Sequence, residues 1–332
     1  MNPDGQPHVA VLAGGVGAAR LLAGMVQAVP PGLVTAVVNV GDDLELHGLR
    51  ISPDIDTVVY TLADAIDPER GWGLRDETWT TMDSLDRYGG STWFRLGDRD
   101  LATHLFRTQR MSEGAPLSTV TAEIAAAWEL GLRVVPVTDD PMGTRITLLP
   151  DPSASGGPDG PLGSLGPLGP EEVSFQEYFV HRQHGVPVLA VRFEGDVDAR
   201  PAPGVLEAIM TADVVVIAPS NPIVSIGPVL AVPGVRNAVR QRRESVIAVS
   251  PIVGGKALKG PADRMLRELG HEPSVVGVAR LYAPLAGTLV IDEADRALAD
   301  DVQAAGLRCV VTDTIMRDRA AAAALSTVVL HT

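Results

Sequence analysis

Short runs of valine, isoleucine, leucine and alanine recur along this chain, each followed by a polar loop and a helical pattern. That alternation constrains the fold more than any other feature. Val9–Ala13, Val34–Val38, Val134–Val137, Val186–Val191, Val214–Ala218, Val246–Val249, Val275–Val278, Thr288–Ile291 and Cys309–Thr312 each read as a buried strand. Ala18–Val29, Leu117–Leu130, Pro203–Met210, Pro261–Leu269 and Glu293–Ala304 carry helical patterns between them. Strands without polar alternation, joined by helices, predict an α/β fold: a mostly parallel sheet with helices on both faces. We read residues 1–332 as a single domain of this class.

Residues 60–130 break the pattern. They hold all four tryptophans, Trp72, Trp79, Trp93 and Trp128, and no clear strand. A mainly helical insertion covering one end of the sheet is expected there. Residues 151–170, DPSASGGPDGPLGSLGPLGP, are Gly/Pro-rich without periodicity and read as a flexible surface loop.

Composition excludes several function classes. The formal net charge of −14 argues against a broad nucleic-acid surface, which needs a basic face. A small anionic substrate remains compatible with it. The single cysteine, Cys309, excludes a disulfide framework and a multi-cysteine metal site. No segment reaches the ~18 consecutive apolar residues of a membrane span. The N-terminus, MNPDGQPHVAVLAGG, lacks the basic and apolar regions of a secretory signal. A cytoplasmic protein that binds neither nucleic acid nor membrane is expected.

The candidate chemistry sits where strands end. Gly14, Gly15 and Gly17 follow the first strand and open the first helix, where glycine N–H groups and a helix N-terminus suit an anion. The dinucleotide pattern G-x-G-x-x-G starts here but has Arg20 at its third glycine. "NVGDDLELHGLRISPDID" follows the second strand and carries Asp42, Asp43, Asp54 and Asp56. Two acids at i and i+2, as in "SPDID", converge in an extended loop. A few hard oxygen ligands suit Mg²⁺ that keeps its waters and bridges to substrate phosphates. Loops at the carboxyl ends of parallel strands line the ligand crevice, which favours a site over a solvated acidic turn.

Ser220 and Asn221 lie between two prolines after the Val214 strand. Gly254, Gly255 and Lys256 follow the Val246 strand; this is not a P-loop, because Ala257 replaces its Ser/Thr, but it offers N–H groups and a point charge. The cluster LGDRDLATH reads as a helix start with Asp98 or Asp100 as cap. Together these loops point to a nucleotide or diphosphate, a divalent metal and transfer at phosphorus.

The set "GGVGAAR", "VVNVGDD", "ISPDIDTVVYTLAD", "RGWG", "LGDRDLATHL", "APSNPIVSIGPVL" and "SPIVGGKALKGPAD" closely resembles the 2-phospho-L-lactate transferase family of coenzyme F420 biosynthesis. The resemblance runs from about residue 8 to about residue 290. It implies a Rossmann-like sheet, a homodimer and Mg²⁺-dependent transfer to the deazaflavin Fo, with loss of GMP. The donor is a guanosine diphosphate carrying 2-phospholactate or, in the actinobacterial branch that this wording favours, enolpyruvyl phosphate. Asp56 and Arg95 fall where the family contacts Fo. We assign Asp42 to Mg²⁺, with Asp54 or Asp43 assisting, and Asp56 to orienting the attacking hydroxyl and taking its proton. Gly15, Gly17 and Lys256 then stabilise charge on the transferred group, and Ser220, Asn221 and the Ser250–Lys256 loop face the guanosine diphosphate. Two rivals remain open: a non-enzymatic nucleotide-sugar-binding regulator of the gluconeogenesis-factor-like family, and an NAD(P)-dependent oxidoreductase.

Overall fold

The computed structural model describes residues 5–149 and 169–332. The surface loop expected at 151–170 therefore lies, but for Gly169 and Pro170, outside the described residues. Seven strands form the central sheet: β1 (Val9–Ala13), β2 (Val34–Val38), β3 (Arg133–Pro136), β4 (Val214–Ile217), β5 (Val246–Val249), β6 (Thr288–Asp292) and β7 (Arg308–Thr312). Their order is β7-β6-β5-β4-β1-β2-β3, and every pairing is parallel. All residues of β1, β5 and β6 are buried. Burial on both faces is why these strands read as unbroken apolar runs. Strand order reverses between β1 and β4, and the carboxyl ends there open a crevice.

Four helices frame the crevice or brace those that do, α1 (Gly15–Ala28), α2 (Pro53–Leu62), α3 (Asp100–Ser112) and α5 (Arg319–Leu330), while α4 (Val275–Tyr282) packs against the 293–304 segment instead. Helix α1 packs between α2 and α5. A Cβ on Gly24 would stand 2.2 Å from the Ala322 carbonyl oxygen, so only glycine allows α1 and α5 to approach this closely. Gly24→Ala is expected to destabilise the protein by about 1–3 kcal/mol, the usual cost of overpacking. Thermal denaturation checks it, and an unchanged Tm would show that the helices separate freely.

The structure corrects several sequence readings. Val275–Val278 belongs to helix α4, not to a strand. Ser274 caps that helix by accepting from the Val276 and Gly277 amides, and so short an apolar run suits either element. Val186–Val191 overlaps a strand, Val188–Glu194, but outside the parallel sheet. It pairs antiparallel with Gly143–Leu148, which also pairs with Glu171–Ser174. This small sheet has its own core around Ile146, Phe175 and Tyr178. Residues 60–130 contain the helices Thr80–Arg87, α3 and Leu117–Ala127. Among the described residues they add only an isolated bridge between Ile66 and Leu74.

Asp54 and Asp56 lie on no extended loop. Pro53 starts helix α2, with both acids in its first turn, where proline needs no amide partner and acids favour the dipole. A two-stranded hairpin, Leu44–Leu46 with Leu49–Ile51, precedes it. His47 and Gly48 turn that hairpin with φ of 55° and 73°, as a two-residue primed turn requires.

Candidate active site

A cleft of about 970 Å³ opens at the carboxyl ends of β1 and β4. Its floor is the Gly14–Gly17 turn, Asp42, the start of α2 and the Ser220–Asn221 turn. Arg70–Gly73, Trp93–Arg95, Phe175–Gln176, Leu258–Ala262 and Thr314–Arg317 form the walls. The two turns at the reversal point are joined directly: Ser220 Oγ donates to the Gly14 carbonyl at 2.6 Å. Asn221 Oδ1 accepts from the Ile223 amide at 2.9 Å, which fixes the turn between the prolines.

The glycines of the first turn have packing reasons of their own. A Cβ on Gly17 would lie 2.2 Å from the Pro219 carbonyl oxygen, and one on Gly14 would lie 2.8 Å from Ser225 Cβ. Gly15 has φ +68°, and its amide donates to the Asp54 carboxylate. An acid of this chain thus already sits at the end of α1 that the sequence assigned to substrate phosphate.

The four aspartates divide into two sets. Residues two apart on a helix face different ways, so Asp54 and Asp56 serve separate networks. Asp54 Oδ2 accepts from Asn39 Nδ2 at 2.9 Å, and Asn39 Oδ1 in turn accepts from the Gly41 amide at 2.8 Å. Asp43 Oδ2 accepts from Ser52 Oγ at 2.7 Å. The buried Oδ1 atoms of Asp42 and Asp43 find no partner among the described residues. Burial, then repulsion from Asp54 and Asp43, pushes the Asp42 carboxyl well up. Burial does the same to Asp43, and it pushes Asp54 up to about 6 against the opposing bonds from Asn39 and Gly15. Asp42, Asp43 and Asp54 thus repel one another, and two of them keep an orphaned oxygen. Among the described residues, Arg107 is the one positive charge that lowers the Asp43 carboxyl. Hard oxygens of this kind suit Mg²⁺.

Asp56 has its positive partner already. Both of its oxygens accept from the guanidinium of Arg107 on α3. His104 Nδ1 lies 3.7 Å from Asp56 Oδ2 and His104 Nε2 lies 3.3 Å from Asp100 Oδ2. Tyr60 donates its hydroxyl proton to Asp100 Oδ1 at 2.6 Å. Ligand-type atoms of Asp56, Asp100 and His104 fall within 4.8 Å of one another, but Arg107 supplies the cation there.

Other expected residues fall differently. Arg95 lines the cleft but is exposed, ion-paired with Asp83 at 2.7 Å and set over the Trp79 ring. Gly254, Gly255 and Lys256 lie in a small hairpin outside the cleft lining. Gly254 donates its amide to Asp295 at 2.9 Å, and Lys256 is exposed. Lys259, three residues on, lines the cleft instead, with Arg20, Arg70 and Arg317. Burial and the neighbouring Arg20 charge lower the Lys259 ammonium, a sign of a site that concentrates positive charge. Asp98 caps the helix Thr80–Arg87, accepting from the Thr80 and Thr81 amides, while Glu77 takes the Arg99 and Asp100 amides at the start of α3. Asp139 and Asp140 are held by Ser118 and Arg200 and line a second cavity of about 570 Å³, which adjoins the cleft through Asp42, Trp93 and Gln176 and is also lined by Asp43.

Sequence reasoning missed Arg107, Arg20, Lys259 and Arg317. One signal was available: Asp100, His104 and Arg107 recur at i, i+4 and i+7, a single helix face.

Residues 9–330 match the family described as 2-phospho-L-lactate transferase CofD. The chain belongs to this family. It is an enzyme of the transferase class, which removes the rival readings as a regulator and as an oxidoreductase. The phosphoenolpyruvate transferase of Streptomyces griseus is 42% identical over 321 residues, covering 96% of both chains. That of Mycolicibacterium smegmatis is 41% identical over 327 residues, again covering 96% of both. Among solved structures, a UPF0052 family protein of Bacillus halodurans superposes with a TM-score of 0.60 at 17% identity, over 98% of this chain and 99% of its own. That likeness concerns the fold alone. No described helix is long and apolar enough to cross a membrane.

Proposed function

We propose that this CofD-family member transfers an enolpyruvyl phosphate group from a guanosine diphosphate donor to the terminal hydroxyl of the deazaflavin Fo, a step of coenzyme F420 biosynthesis. The observation that carries the reading is the polarity of the cleft. Asp42, with its orphaned Oδ1, lines it together with Asp54, the basic groups of Arg20, Lys259 and Arg317, and Asp56, which Arg107 holds fixed. A diphosphate donor fits the basic groups and an alcohol fits Asp56. The relatives' name, phosphoenolpyruvate transferase, favours the enolpyruvyl over the 2-phospholactyl donor.

In this reading Lys259, Arg20 and Arg317 take the charge of the donor diphosphate. Asp56 accepts a hydrogen bond from the attacking hydroxyl. The hydroxyl oxygen bonds to the distal phosphorus as the bond to GMP breaks, and GMP leaves with the electron pair. The proton follows its hydrogen bond to Asp56 and leaves to solvent through the open side of the cleft. A divalent cation such as Mg²⁺ would be held by Asp42 and Asp43, with Asp54 beside them, and would neutralise charge on the phosphate oxygens. We assign the working form to a homodimer of single-domain subunits, as the family resemblance implies; sedimentation at assay concentration tests that.

The deciding experiment incubates the protein with Fo, Mg²⁺ and each guanylated donor and weighs the product. No Fo adduct with either donor sinks the reading. The basic groups have their own test. Lys259→Ala is expected to raise the donor KM by about 10- to 100-fold, the worth of a charge-assisted hydrogen bond. Lys256→Ala is expected to change it by less than about 2-fold. Equal effects of the two variants would return the phosphate-facing role to the hairpin.

A further inference from the structure

Arg107 is the largest fully buried side chain among the described residues. Taking a guanidinium out of water is unfavourable, and a well-packed apolar side chain often serves stability as well or better. Core packing alone therefore does not account for an arginine here. Its contacts are specific. Nη1 donates to Asp56 Oδ2 at 3.1 Å and reaches the Arg50 carbonyl at 3.4 Å, and Nη2 donates to Asp56 Oδ1. Asp56 lines the cleft, whereas Arg107 does not. The planar fork of an arginine fixes a carboxylate in one plane, which a lysine ammonium does not. Around this pair stand His104, between Asp56 and Asp100, and Tyr60, bonded to Asp100. Every member of the network stands on α2 or the facing side of α3.

We propose that Arg107 is a positioning residue: from behind the cleft wall it holds Asp56 in the one orientation that accepts a hydrogen bond from the acceptor's hydroxyl. The inference rests on the transferase reading of the cleft. Arg107 does not line the cleft, so its effect on turnover passes through the carboxylates it faces: chiefly Asp56, which it bonds with both Nη nitrogens, and less strongly Asp43, whose charge it offsets.

A double-mutant cycle tests this. Turnover, the KM of each substrate and Tm are measured for wild type, Arg107→Met, Asp56→Asn and the double variant, with Arg107→Lys alongside. Arg107→Met is expected to lower kcat/KM for the acceptor by about 10- to 100-fold, the usual effect of removing a group that orients a reacting one. The donor KM is expected to stay the same. In the Asp56→Asn background the same substitution is expected to cost little more, because residues acting as one unit are not additive. Arg107→Lys is expected to recover part of the loss. A full, additive loss in the Asp56→Asn background, or a parallel rise in both KM values, overturns the proposal. If Arg107→Met does not fold, the cycle is run with Arg107→Lys under the same criteria. A wild-type protein that makes no product with either donor overturns the transferase reading itself. An active wild type with an additive cycle overturns only the role of Arg107.

Discussion

Asp42→Asn is expected to lower turnover by at least about 100-fold and to abolish the thermal shift that Mg²⁺ gives the wild-type protein. The substitution keeps the shape of the side chain and the backbone carbonyl that accepts from Gln176 Nε2 at 3.2 Å. It removes one of three crowded charges. Without Mg²⁺, the variant is expected to melt above the wild type, because burial and repulsion both disfavour the ionised Asp42. Higher stability, lower activity and no response to metal together form a pattern that a mere folding defect does not produce. Asp43→Asn is expected to show a weaker version, since Ser52 already bonds its Oδ2. Full activity in Asp42→Asn with unchanged Mg²⁺ dependence would remove Asp42 from the metal site.

The central sheet is legible in the sequence because its strands are buried on both faces and separated by helices. The small antiparallel sheet is not, because its middle strand, Gly143–Leu148, alternates buried Thr144, Ile146 and Leu148 with less buried Gly143, Arg145 and Thr147. A threonine in the buried register hides the apolar stripe. Helix α5 escapes notice for a different reason. Its buried face mixes the small Ala322 and polar Ser326 with Leu325 and Val329, and it closes on α1 at Gly24, so its apolar stripe is thin.

The candidate site divides in the same way. Asp42, Asp43, Ser220 and Asn221 follow directly from the ends of central strands, and strand ends are readable, whereas Asp54 and Asp56 come a hairpin later, at the start of α2. Sequence alone favours Lys256 over Lys259 because glycines stand before it, yet those glycines turn a hairpin with φ of 57° and 77°. Arg107 lies 51 residues from Asp56. No local pattern announces that pairing, which exists only once α3 packs against α2. The acids at i and i+2 mislead for a related reason. Read as a loop they converge, and read as a helix they separate, and Pro53 is the residue that decides between the two.

That separation sets a pH dependence that the cation should share. Mg²⁺ is expected to stabilise the protein more at about pH 7.5 than at about pH 5. Burial moves the Asp54 carboxyl from its ordinary 3.8 to about 6. Below the ordinary value, folded and unfolded chains both hold the proton and Asp54 has no effect on stability. Between the two values only the folded chain holds it, so stability falls as pH rises. Above about 6 both have lost it, and the folded chain carries a constant penalty of about 3 kcal/mol for a shift of this size. Asp42 and Asp43 are displaced in the same direction and steepen the fall. A dication relieves the penalty only where the carboxylates are ionised, because below that range it competes with the protons that already neutralise them. Melting curves with and without Mg²⁺ at the two pH values, repeated on Asp42→Asn, measure this directly. Equal Mg²⁺ shifts at both pH values would mean that the ion binds away from these aspartates. The crowded carboxylates would then need another source of positive charge, with Lys259 on the same cleft as the candidate.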